Sequence, residues 1–329
     1  MDKNLESWTV VKKKELIHLD NKNKKLLEIL LTDARVPLNV LAKELKISKV
    51  AVSKRINKLE EQNVIQGYSC FIDLQKLGFH GYQIGIRTKV TLRKKHEFFL
   101  ELLKERGLSQ ILSFQSGRWD FLIRVYAKND DVKELIKKIS ENEFIEEINL
   151  FNIDKIQIKT NKKIIITENK KVKFDNIDLN ILNILARNGK ISFVDIASRL
   201  KVNIATIKYR IKELEKKGII LFYVTAIDTS LLNKETFVIS ATAYGINEEN
   251  HLIRNLIDFK NSTGGILNKE YPNIFAFYMI NEFKEIDQIE NVLISKYHNV
   301  KYELFRISEQ NYYNFFPEAI FKKLIQNKC

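Results

Sequence analysis

Residues 19–73, LDNKNKKLLEILLTDARVPLNVLAKELKISKVAVSKRINKLEEQNVIQGYSCFID, have a counterpart at residues 174–228, FDNIDLNILNILARNGKISFVDIASRLKVNIATIKYRIKELEKKGIILFYVTAID. An offset of 155 positions aligns the two without a gap. Identical pairs include Asp20/Asp175, Leu27/Leu182, Leu30/Leu185, Ala42/Ala197, Leu45/Leu200, Arg55/Arg210, Ile56/Ile211, Leu59/Leu214, Glu60/Glu215, Tyr68/Tyr223 and Asp73/Asp228. Val36/Ile191, Ile47/Val202 and Val64/Ile219 exchange like for like. The same buried face is kept while the surface changes, which marks a tandem duplication.

Each copy spells three helices and a strand. In the first, Asp20 can cap a helix carrying Leu26, Leu27, Ile29, Leu30 and Leu31 at helical spacing. Pro37 suits the first turn of a second helix over 38–45, burying Leu41, Ala42 and Leu45. Lys46 and Ile47 make a tight turn before Ser48, which caps a third helix reaching about residue 62. That helix turns Val52, Ile56 and Leu59 inward and presents Lys49, Ser53, Lys54, Asn57 and Lys58 outward. This is the helix-turn-helix pattern, with a cationic, hydrogen-bonding face placed for a major groove. Residues 64–72 alternate as a wing strand would.

The second copy repeats the plan, with Asp175 as cap, a second helix over 193–200 and Asn203 starting the third. Its outward residues include Thr206, Lys208, Tyr209, Lys212 and Lys216. Arg55 and Arg210 lie beside the inward Ile56 and Ile211 and are expected to pair with acids such as Glu60 and Glu215 rather than to meet a ligand. A trihelical unit of this kind also serves as a protein-docking module, and solvated lysines are ordinary helix surface, so composition has to be weighed as well.

The formal charge is +14 and the isoelectric point about 9.4, which attracts polyanions before any specific contact forms. A Lys-rich genome would produce the same bias. Cys70 and Cys329 lack the spacing of a disulfide framework or a zinc site, so no metal or other cofactor is expected. Residues 1–14 carry Asp2 and Glu6 and lack the apolar core of a signal peptide, and the longest apolar run, 218–227, is half a membrane span. A cytoplasmic protein without a membrane partner is expected.

After each winged unit the pattern runs strand, helix, strand, strand, helix, strand. In the first copy these fall near 81–91, 93–106, 110–115, 120–127, 132–139 and 145–159; in the second near 236–244, 250–261, 265–270, 274–280, 284–296 and 300–307. The reading is an α+β chain of two winged helix-turn-helix domains, 15–75 and 170–230, alternating with two ferredoxin-like βαββαβ domains, 78–160 and 234–316. One face of each four-stranded sheet needs a partner, so the two sheets are expected to pair. Residues 159–173 form a linker of about fifteen residues, enough to make the chain an intrachain pseudo-dimer at roughly millimolar effective concentration. Further homo-oligomerisation stays open.

The LD start, LAKELKIS, RINKLEEQNVIQGY and their second-copy equivalents resemble the Lrp/AsnC family of feast/famine regulators. The resemblance covers nearly the whole chain, in both domain types, twice and in order. It implies a sequence-specific regulator binding double-stranded DNA through Ser48, Lys49, Ser53, Lys54, Asn57, Lys58, Asn203, Thr206, Lys208, Tyr209 and Lys212, with an amino-acid-like effector bound by the α/β domain. Gly117-Arg118-Trp119-Asp120 matches the family's Gly-x-aromatic-Asp hairpin, which implies effector contacts from Gly117, Trp119 and Asp120. The second copy has Tyr271-Pro272-Asn273-Ile274 there and lacks the acid. Siroheme decarboxylases look like paired units of the same kind, which supplies an enzymatic alternative, and a weakly DNA-binding co-regulator is another. The histidines His18, His80, His96, His251 and His298 are scattered rather than paired, so no enzyme is expected.

Overall fold

The computed structural model describes residues 8–10, 19–89, 95, 97–98, 102, 107–160, 163–167, 170–227, 229–232, 234–297 and 299–326. The first repeat gives α1 (Asn21–Thr32), α2 (Leu38–Leu45), α3 (Lys49–Glu61), β1 (Ile65–Ile72), β2 (His80–Thr88), β3 (Leu108–Phe114), β4 (Phe121–Ala127), α4 (Asn129–Ser140) and β5 (Ile145–Lys159). A short β6 (Ile164–Ile166) follows. The second repeat gives α5 (Asn176–Arg187), α6 (Phe193–Leu200), α7 (Ile204–Lys216), β7 (Ile220–Ile227), β8 (Glu235–Thr242), α8 (Ile246–Asp258), β9 (Ser262–Asn268), β10 (Ile274–Ile280), α9 (Lys284–Lys296), β11 (Lys301–Tyr313) and α10 (Glu318–Gln326). These elements form two compact units.

The first unit holds the described residues up to Leu77, Lys171–Leu232 and those from Tyr313 onward. The caps expected from sequence are made: Asp20 accepts from the Asn23 amide at 2.7 Å, Ser48 from Ala51 at 3.1 Å and Asn203 from Ala205 at 2.8 Å. Leu26, Leu27, Leu30, Leu41, Val52, Ile56 and Leu59 pack into one apolar cluster, whose burial drives the trihelical fold. That cluster also takes in Ile227 and Leu232 of the second repeat. The reason lies in the strands. β1 does not stand out as a free wing; it pairs antiparallel with β7. Ser69 faces Val224, its own equivalent, and Cys70↔Tyr223 mirrors Tyr68↔Thr225. The ladder is therefore a pseudo-two-fold element, and a β-hairpin wing, which would need a second strand from the same repeat, is replaced by the strand of the other. From Tyr313 onward the chain adds Phe315 against Phe71, while Ile320 and Leu324 of α10 are buried, α10 packing on α5.

The second unit holds Gly78–Lys170 and Asn233–Tyr312. In the first half the strand order is β3-β4-β2-β5 and in the second β9-β10-β8-β11, the antiparallel order of a ferredoxin-like βαββαβ sheet. β5 leaves β2 near Asn152 and continues along β9, and β11 pairs with both β8 and β3. Eight strands thus close on themselves, which leaves neither sheet with an open edge and accounts for the length of β5 and β11 beyond an ordinary strand. One face of each half packs on its helices: Ile84, Ile123 and Val125 with Leu135 and Ile139, and Ile239, Ala241 and Ile274 with Leu252, Ile253 and Ile289. The helix expected at 93–106 lies largely outside the described residues, though Lys95, Glu97, Phe98 and Leu102 are helical. The linker is not plain coil, since Ile164–Ile166 pairs with the end of β5.

Candidate nucleic-acid interface

α3 and α7 are amphipathic in the way the sequence requires. Val52, Ile56 and Leu59 of α3 are buried, as are Ile207, Ile211 and Leu214 of α7. On the opposite face Ser48, Lys49, Lys54, Asn57 and Lys58 are exposed and Ser53 is half-buried. In the second repeat Asn203, Lys208, Tyr209 and Lys212 are exposed and Thr206 is half-buried. Among the described residues none of Lys49, Lys54, Lys58, Lys208 and Lys212 forms an ion pair. Each helix therefore offers uncompensated ammonium groups beside hydroxyl and amide side chains, the chemistry that meets phosphates and base edges.

The two shared arginines are engaged elsewhere. Arg55 Nη1 bonds Asp20 at 2.7 Å and Asn23 at 2.7 Å, and Arg210 Nη1 bonds Asp175 at 2.6 Å and Asp178 at 3.0 Å. They bind the third helix of each repeat to the start of its first. The partners expected from sequence, Glu60 and Glu215, instead accept the hydroxyls of Tyr68 and Tyr223. Burial, first, and the adjoining glutamate hold both phenols above their ordinary pKa, so each remains a donor.

The helices are held in one unit by contacts that repeat across the ladder. Ala34 N–H donates to Tyr223 O at 2.9 Å and the equivalent Gly189 N–H donates to Tyr68 O at 2.9 Å. Arg35 lies 4.3 Å over the Tyr223 ring, as the equivalent Lys190 lies 4.2 Å over Tyr68. Arg35 also donates to Gly189 O at 2.6 Å and Ile191 O at 3.2 Å. A Cβ on Gly189 would stand 2.2 Å from Ser69 O, so this approach of the two repeats needs glycine. Sequence reading missed Arg35, Gly189 and Lys190. The only signal was the shared Tyr68/Tyr223 pair, because the groups that meet those tyrosines differ between repeats.

Within the Gly117–Asp120 turn Gly117 is exposed, Trp119 is buried and Asp120 is half-buried. Gly117 has φ 105° and leaves the position of a Cβ to the Phe305 ring. Trp119 is 1% exposed; it stacks on Phe305 with ring centroids 5.2 Å apart, contacts Phe275 at 5.9 Å and Phe151 at 5.5 Å, and donates to Asn149 at 2.6 Å. It is core between the sheets rather than an open contact, because the closed arrangement buries the side chain that an isolated hairpin would expose. Asp120 accepts from Thr88 N at 2.7 Å, Thr88 Oγ1 at 2.8 Å and the Lys95 ammonium. In the second half the place of Asp120 is taken not by Ile274, as the sequence alignment expects, but by its neighbour Asn273, which is buried and bonds Ala243 and Glu249. His80 is exposed and His251 bonds the Tyr297 hydroxyl at 2.9 Å, while His18, His96 and His298 lie outside the described residues.

Two family models match the regions that carry α3 and α7: an AsnC-type helix-turn-helix domain over residues 19–60 and a winged helix-turn-helix DNA-binding domain over 174–220. The HTH-type transcriptional regulator LrpA of Pyrococcus horikoshii is 37% identical over 120 residues, a span of 36% of this chain and 83% of that protein. The chain belongs to the Lrp/AsnC family. Another relative, the proline dehydrogenase transcriptional activator of Rhodobacter capsulatus, is 28% identical over 124 residues, 37% of this chain and 79% of its own length. Each aligned span is about one repeat, as a duplicated member of the Lrp/AsnC family requires. Among solved structures, the siroheme decarboxylase NirDL has a TM-score of 0.59 at 18% identity, covering 94% of this chain and 99% of that one. The likeness is one of fold.

Proposed function

We propose that this Lrp/AsnC chain is a sequence-specific transcription regulator that binds double-stranded DNA in the cytoplasm with both recognition helices of one polypeptide, and that it is not an enzyme. The observation that carries the reading is the pair of exposed helix faces, with Lys54 and Lys58 on one and Lys208 and Lys212 on the other, set on a single pseudo-two-fold ladder. A net charge of +14 favours the same partner. In this reading 15–75 and 170–230 are the DNA-binding domains, 78–160 and 234–316 the sensing and dimerisation domains, and the two repeats act as an intrachain pseudo-dimer. The test is binding to duplex DNA across a salt series: affinity falls steeply as salt rises, because lysines meeting phosphates release condensed counterions. A folded sample that ignores duplex DNA at low salt overturns the reading.

An amino-acid-like effector is assigned to Asp120 of the first α/β half, the half that keeps the acid. An incoming α-ammonium would exchange with the Lys95 ammonium, so a ligand of this class brings its own cation to a carboxylate already built to hold one. Calorimetry with an amino-acid panel reads the heat. Loss of that heat in Asp120→Asn supports the assignment, and its survival there moves the site elsewhere.

A further inference from the structure

Each recognition helix carries an aliphatic side chain among its cations. Val50, Ser53, Lys54 and Asn57 fall at helical spacing on the face of α3 opposite Val52, Ile56 and Leu59. Val50 is 65% exposed and has no place in the apolar cluster beneath it. The equivalent places on α7 are Ala205, Lys208, Tyr209 and Lys212, of which Ala205 is exposed as well. Helix propensity does not explain Val50, since a β-branched residue in an exposed first turn is a poorer helix former than alanine or lysine. Nor is the patch broad enough for a protein partner, because unpaired Lys49 and Lys54 flank it. In a major groove the apolar group within reach of such a side chain is the C5 methyl of thymine; the other base edges present donors and acceptors.

Resting on the DNA reading above, we propose that Val50 is a specificity-determining residue that packs on a thymine methyl in the half-site read by α3. Its two γ methyls reach beyond the single methyl of Ala205, so the half-site read by α7 depends less on thymine at the matching position. The halves of one operator then differ in methyl readout as well as in hydrogen bonding.

The test begins from a duplex selected out of a random pool by the full chain. Each thymine is replaced in turn by deoxyuridine, which removes the C5 methyl and nothing else. At one position in one half-site the wild-type chain loses about fourfold in affinity, the worth of one buried methyl. Val50→Ala loses that sensitivity while keeping the salt slope of the wild type, since no phosphate contact is touched. Binding that is indifferent to every deoxyuridine, or a methyl effect unchanged in Val50→Ala, overturns the proposal and leaves the DNA reading standing. Failure to bind any duplex at low salt instead overturns the DNA reading itself.

Discussion

Ser69 and Val224 occupy the same position in the two repeats and face one another across the antiparallel ladder of β1 and β7. A ladder in which a residue meets its own equivalent has its pseudo-two-fold axis at that pair. Symmetry of this kind belongs to isologous interfaces between two chains, and here it is built into one.

The expected operator follows from that axis. Two recognition helices related by a two-fold read half-sites in inverted orientation, with centres about 10 base pairs or a multiple of that apart. The reading faces differ, since Lys49, Val50 and Ser53 stand where the other helix has Ile204, Ala205 and Lys208. Selected sites are expected to be imperfect inverted repeats with unlike halves. Recovery of perfect palindromes would favour identical helices from two chains.

The lysines separate affinity from specificity. If α3 and α7 meet DNA as proposed, replacing Lys54 and Lys58, or Lys208 and Lys212, with alanine is expected to weaken binding without unfolding the chain, because all four side chains are exposed. Each lost phosphate contact shallows the salt slope by about one unit, whereas a lost base contact costs about 1–3 kcal/mol for specific sites only. Unchanged binding in the fourfold variant would mean that α3 and α7 do not meet DNA.

Arg35 and Lys190 are equivalent in place and unequal in work. Arg35 makes two hydrogen bonds to carbonyls of the other repeat and covers Tyr223, while Lys190 covers Tyr68. Bonds from a charged donor are worth about 1.5–3 kcal/mol, and an exposed cation–π contact about 0.5–1 kcal/mol. Because Arg35 is only half-buried, solvent screening discounts these increments, and Arg35→Ala is expected to lower unfolding free energy by about 2–4 kcal/mol and Lys190→Ala by less than about 1 kcal/mol. Denaturant unfolding of the two variants gives the comparison, and equal losses would contradict it.

Much of this was legible in the chain because burial repeats at a fixed offset. Leu27, Leu30, Ile56 and Leu59 recur as Leu182, Leu185, Ile211 and Leu214, and a core shared by two sequences exposes the helices that bury it. Helix caps were legible for the same reason, as a local side chain meets a local amide. Contacts between repeats were not. Ala34 and Gly189 reach the backbone carbonyls of Tyr223 and Tyr68, and Arg35 those of Gly189 and Ile191, and no spacing records which carbonyl lies opposite. The fate of Trp119 was hidden likewise, since its neighbours Phe151, Phe275 and Phe305 come from distant strands. A hairpin read alone places an aromatic at a surface; the closed eight-strand arrangement makes it core.

Asp73 gives the ladder a pH dependence of definite sign. It follows β1, its amide donates to Ile219 O at 2.9 Å, and it is 3% exposed. Burial pushes its carboxyl up to about 6, while Lys76 and the amides of Gln75 and Lys76 pull the other way. A carboxyl raised on folding binds its proton more tightly in the folded chain than in the unfolded one. Its contribution to stability is therefore full below the unfolded value near 3.8 and is lost as pH rises through about 6. Asp73→Asn keeps an oxygen to accept the Gln75 amide and removes the buried charge. The variant is expected to be more stable than wild type at pH 7.5 by about 1–3 kcal/mol, with the gain fading towards pH 4, where the wild-type carboxyl is already protonated. Paired urea titrations at the two pH values decide it. A gain that persists unchanged at pH 4 would come from packing rather than charge, and a loss at pH 7.5 would show that Lys76 more than offsets the burial.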